Sequence, residues 1–136
     1  MKKRFFAVCA VAAALLTATG CVTSTVERMD PVPDQTSGSG RRVIANLKAV
    51  NNGVFLFYYI PIWTGAPGSP NRRDWDLFEN KLRDKHMHRM LNNYAAKLKA
   101  DGVEDVQLSE SSTGMLGLWI FWRRTRTATA VAVEKR

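Results

Sequence analysis

Alternation of apolar and polar residues in two stretches, with a helical stretch between them, predicts an α+β fold. Val43, Ala45, Leu47 and Ala49 recur at every second position, as do Thr125, Thr127, Thr129, Val131 and Val133, so each set lines one face of a strand. Between them, Met87, Leu91, Tyr94 and Leu98 recur at helical spacing. Adding an aromatic run and a short apolar segment gives the order strand, strand, helix, strand, strand. That order predicts a small two-layer sandwich, a mostly antiparallel sheet of about four strands with one long or broken helix. The 136 residues, 46% hydrophobic and 24% charged, leave room for one such domain and exclude wholesale disorder.

Along the chain, residues 1–20 read as an export segment, 21–40 as a flexible tether and 41–136 as the folded domain. The export segment has a basic start (Lys2, Lys3, Arg4), an apolar run from Phe5 to Leu16 and a small-residue stretch ending at Gly20. Its apolar run is shorter than the roughly 20 residues a bilayer span needs. From Val22 to Gly40, Pro31, Pro33, Gly38 and Gly40 stand among small polar residues, a linker composition with a reach of roughly 25 Å.

Arg41 to Val50 reads as the first strand. Asn51-Asn52-Gly53 tolerates positive φ and predicts a turn. The aromatic run from Val54 to Trp63 follows, with Pro61 confining its far end to an edge or loop. Thr64 to Asn71, holding Gly65, Pro67, Gly68 and Pro70, predicts a loop. The helix is expected from Asp74 or Asp76 to about Asp101, with Gly102 at its stop. Phe78 and Leu82 lie on a different helical face from Met87 and Leu91, which predicts a break near Arg83 to Lys85. Val103 to Leu108 reads as a short strand and Ser109 to Gly114 as a polar loop. Leu116 to Trp122 is an aromatic portion, and Thr125 to Val133 the last strand.

The export segment runs into Ala18-Thr19-Gly20-Cys21, which resembles the lipobox of bacterial lipoproteins. Alanine stands at position 18 where that family usually has leucine. The resemblance implies cleavage before Cys21, diacylglycerol and palmitate on that residue, and attachment to a membrane. Two or three acyl chains hold a protein stably where one holds it marginally, at about 0.8 kcal/mol per buried methylene. For Gram-negative lipoproteins, a residue such as Val22 rather than aspartate after the cysteine implies the outer membrane, facing the periplasm. In its general plan the chain is similar to small envelope lipoproteins.

Charge and cysteine usage fit that address. The formal net charge is +8; removing Lys2, Lys3 and Arg4 leaves +5. A moderately basic domain suits phospholipid headgroups, an anionic glycolipid or an acidic envelope protein, and nucleic acid is not an expected partner of an exported chain. Cys9 lies in the apolar run, so Cys21 would be the mature chain's only thiol, and no internal disulfide is expected.

No catalytic, cofactor-binding or metal-ligating residue is assigned. His86 and His88 point about 200° apart on a helix and cannot share one ion. Ser109-Glu110-Ser111-Ser112 lacks a nucleophile-elbow pattern, and the glycines of 65–68 lack the lysine of a phosphate loop. Asp74, Asp76 and Glu79 are carboxylates of the kind the helix dipole favours in a first turn. The most unusual stretch holds Trp119, Trp122, Arg123, Arg124 and Arg126 within eight residues, a candidate docking surface; the competing expectation is that the tryptophans fill the core. The expected function is a non-enzymatic binding or structural module of the cell envelope, with an accessory ligand-binding or hydrolytic protein as the alternative.

Overall fold

The computed structural model describes residues 23–31, 33–72, 74–115 and 119–134. The export segment, the cleavage site and Cys21 lie outside the described residues. Among the described residues, six strands and one helix follow in order: β1 (Ser24–Met29), β2 (Val43–Leu56), β3 (Ile60–Gly65), β4 (Trp75–Leu77), α1 (Asp84–Lys97), β5 (Gly102–Gly114) and β6 (Phe121–Val133). Every strand pairing is antiparallel, and the order across the sheet is β4-β3-β2-β6-β5. β6 pairs with β2 from Val43 to Leu56. On its other edge β2 is shared: β1 takes residues 46–51 and β3 takes 53–56, so two short strands lie end to end.

This is a β-rich fold, and it corrects the expected α+β sandwich of about four strands with a long helix. The differences lie in how backbone groups are paired. Asn51-Asn52-Gly53 does not turn but continues β2 through the joint between β1 and β3. There Asn51 Nδ2 donates to the carbonyls of Gly65 (3.3 Å) and Lys81 (3.0 Å), and Asn52 and Thr23 bind each other through backbone and side chain. The stretch expected as a flexible tether contains β1, whose Ser24 and Val26 are buried. Residues 36–42 are docked as well, with Gly38 N donating to Asp105 and Arg41 bound to Asp101 and Glu104. Ser109 to Gly114, read as a loop, extends β5 instead. Residues 122–127 of β6 are already held straight by β2, and their other edge takes up this stretch, from Ser109 opposite Thr127 to Gly114 opposite Trp122.

The helix is also shorter than expected. Trp75 to Leu77 pairs with β3 as β4, so α1 starts only at Asp84, where the change of apolar face predicted a break. Its stop precedes Gly102. Lys99 takes φ +59°, its N–H binds the carbonyl of Ala96, and the N–H of Ala100 binds that of Ala95. These two bonds form a Schellman motif with lysine in the left-handed position where glycine is usual.

α1 covers one face of the sheet. Ala45, Leu47 and Ala49 of β2 stand opposite Ala132, Ala130 and Ala128 of β6, and Met87, Met90, Leu91 and Ala95 close over them. Small side chains on the sheet let the helix come close, and the flexible methionines fill the remaining space. Alternation then predicts opposite responses of neighbours in β6. Ala128→Leu should cost about 1–3 kcal/mol by overpacking, whereas Thr127→Leu, on the face away from α1, should change stability by less than about 0.5 kcal/mol. Urea melts of the two variants check the register.

Candidate functional site

The β2–β3 turn and the β5–β6 connection meet at one end of the sheet. In the first, Tyr59 N donates to Leu56 O at 3.2 Å while Phe57 and Tyr58 take φ +50° and +73°. Positive φ at both central residues is the pattern of a tight type I′ hairpin turn, usually supplied by Asn-Gly and strained for bulky residues. The two connections are tied together by Phe57 N donating to Ile120 O at 2.6 Å. Trp122 Nε1 donates to Trp119 O at 2.9 Å, which closes the second turn on itself. Tyr58 lies edge-on to Tyr59 and to Trp122, and Trp119 edge-on to Trp122.

Arg124 braces this end from below. Its guanidinium carbon lies 4.8 Å from the centre of the Phe55 ring and 4.7 Å from that of Tyr58, a cation–π sandwich that contributes on the order of 0.5–2 kcal/mol. Its charge is answered by Glu110, which also binds Arg126 Nη1 at 2.7 Å; Arg126 in turn reaches Asp84 in the first turn of α1. Burial raises the pKa of Glu110, but the hydrogen bonds and charges of Arg124 and Arg126 outweigh it and hold the carboxyl below its ordinary 4.5.

The five residues singled out from sequence therefore divide. Trp119 and Trp122 are brought together at the end of the sheet. Arg124 and Arg126 sit on the face that carries α1, paired with carboxylates, so they do not offer free charge to a partner. Arg123 points to the opposite face, opposite Val54, and makes no ion pair among the described residues. Sequence reasoning missed Glu110, because its serine neighbours read as loop. Nothing local marks it: Glu110 comes to lie across from Arg126 only through the register of β5 on β6.

Among the described residues, no group of three or more His, Cys, Asp and Glu is placed to hold a metal ion. His86 is half-buried, and its pKa lies below 6.5, first through loss of solvent and then through Lys81, Lys85, Arg83 and Arg89. Among the described residues, grooves open broadly to solvent. One of about 310 Å³ is lined by Gln35, Asn46, Asp105, Gln107 and Thr129 on the face away from α1.

Acid should destabilise the protein in two stages, and the signs agree. His86 binds a proton less readily folded than unfolded, so stability starts to fall as pH drops below about 6.5. The contribution of Glu110 is full above 4.5 and is lost as pH falls through its lowered pKa. His86→Gln should flatten the first stage. Glu110→Gln should flatten the second and cost about 1 kcal/mol at neutral pH, since two arginines lose a shared partner. Thermal melts from pH 8 to pH 3 read both.

A scan against models of protein families, a search of curated proteins and a search of solved structures each return no match to this chain.

Proposed function

We propose that the chain is a cell-envelope lipoprotein, anchored through lipid on Cys21, whose small sheet domain is a non-enzymatic binding or structural module facing the periplasm. The observation that carries this reading is the sequence of the first 21 residues: a basic start, an apolar run too short to span a bilayer, and Ala18-Thr19-Gly20-Cys21. A binding role rather than a catalytic one is supported by the character of the domain. Its polar residues hold the fold: the asparagines at the joint, the Glu110 cluster and the Arg41 cluster all satisfy groups of the same chain. It also exposes large apolar side chains, at the aromatic end and along β4.

The groove beside Gln107 favours a second reading, an accessory protein that takes a small polar ligand. A ligand there would displace the mutual hydrogen bonds of Gln35 and Asn46.

Cys21→Ala should abolish incorporation of labelled fatty acid and leave an uncut precursor. Normal maturation and membrane retention of that variant would remove the anchor from the proposal. Fatty-acid labelling in the native host, followed by gel mobility and membrane fractionation, decides it.

A further inference from the structure

We infer that the partner of the exposed aromatic rim is the membrane that bears the Cys21 lipid, with the domain lying on the bilayer rather than standing off it. The inference rests on the lipid-anchor reading. It adds the surface of the domain that meets the lipid and the orientation this imposes.

The chain between the anchor and the fold is short. Cys21 is two residues from Thr23, and Thr23 is already fixed. Its N–H donates to Asn52 Oδ1 at 2.6 Å, its carbonyl accepts from Asn52 N at 3.1 Å, and its hydroxyl accepts from Asn52 Nδ2 at 3.3 Å. Two residues span at most about 7 Å. The polar layer on each side of the hydrocarbon is roughly 5–8 Å thick. A lipid on Cys21 would therefore hold the middle of the sheet at headgroup level, and the surface around Thr23 must be compatible with that layer.

That surface is the apolar one. Gly65 packs so close to Thr23 that a Cβ on it would come within 2.6 Å of the Thr23 carbonyl oxygen, and Trp75 pairs directly with Gly65 across β3 and β4. Trp75 is 46% exposed, and Leu77, two residues on and therefore on the same face of the strand, is exposed too. The rim continues to the end of the sheet, four residues along β2 from Asn52 to Leu56, or about 14 Å. Here Tyr59 and Trp119 are 77% and 83% exposed, with Phe57 and Ile60 beside them. Tryptophan and tyrosine prefer the membrane–water boundary, where an apolar ring and a polar edge are both satisfied. The rim is built rather than loose: the bond between Phe57 and Ile120 and that from Trp122 to Trp119 tie residues 57 and 119–122 together without covering the outer rings. Arg123, on the same face as Val54 and without an ion pair among the described residues, supplies a cation for anionic headgroups.

The test uses the mature lipidated protein reconstituted into vesicles of phosphatidylethanolamine and phosphatidylglycerol, with part of the lipid brominated on its acyl chains. Bromine quenches tryptophan only at close range. Fatty acid on Cys21 is verified on the same preparation. The expected result is quenching of the wild-type emission, stronger with bromine near the headgroup than near the chain end. It should be reduced at least twofold in Trp75→Phe/Trp119→Phe, which keeps Trp63 and Trp122 and should melt as the wild type does. Lipidated protein whose emission ignores the brominated lipid overturns the inference and leaves the anchor standing, and so does quenching that the double variant retains in full. Protein carrying no lipid on Cys21 overturns the inference together with the reading it rests on.

Discussion

Everything in this fold follows from β2 passing through Asn51-Asn52-Gly53 without turning. Because it does so, β6 can pair with it over its whole length, and that ladder sets the register in which β5 is added. The opposite edge cannot be filled by one strand, so β1 and β3 meet there, and their meeting point needs hydrogen-bond partners that a ladder does not supply. Asn51 and Asn52 provide them from side chains. Asn71 does the same for the outer edge of β1, its carboxamide binding both the N–H and the carbonyl of Val26 as a neighbouring strand would. The glycines at the joint serve for space. A Cβ on Gly53 would come within 2.6 Å of Thr64 Cγ2, and one on Gly65 within 2.6 Å of the carbonyl of Thr23.

Moving the turn from a favourable sequence to Phe57-Tyr58 has an energetic cost, since bulky residues resist positive φ. The structure offsets it locally. Tyr58 is held between Arg124 and two further aromatic rings, and Phe55 is fully buried beneath the same guanidinium. Full burial of such a ring contributes about 1.5–3 kcal/mol. The side chains that flank this anchor, Phe57 and Tyr59, are turned outward as a consequence. The exposed aromatic end and the strained turn are thus one feature, and the Glu110 cluster that braces Arg124 couples it to α1 through Arg126 and Asp84.

How much of this could be read from the chain depended on the range of the interaction involved. The alternation of Val43 to Ala49 and of Thr125 to Val133 marked strands because one face of each meets a layer of different polarity. The stripe of Met87, Leu91, Tyr94 and Leu98 marked α1 for the same reason. Local composition misled wherever a distant strand supplied the partner. Ser24 to Met29 looks like linker until Asn46 to Asn51 pairs with it, and Ser109 to Gly114 looks like loop until β6 does. The docking residues show the limit within a single element. Their crowding was visible, but only the register separates Arg123 from Arg124 and Arg126 and gives the latter two their carboxylates.

The straight passage of β2 also bears on the chemical ageing of the protein. In a flexible chain, Asn-Gly is the dipeptide most prone to deamidation, because an unhindered glycine nitrogen can attack the asparagine side-chain carbonyl and close a five-membered imide. Here the backbone of Asn52 and Gly53 is extended between two ladders, and the carboxamide of Asn52 is turned to Thr23 on both its oxygen and its nitrogen. The attack geometry is denied for as long as β1 stays in place. Conversion of Asn52 to aspartate would then accumulate only in molecules whose β1 has detached, so the modified fraction of an old sample records how often that strand has let go.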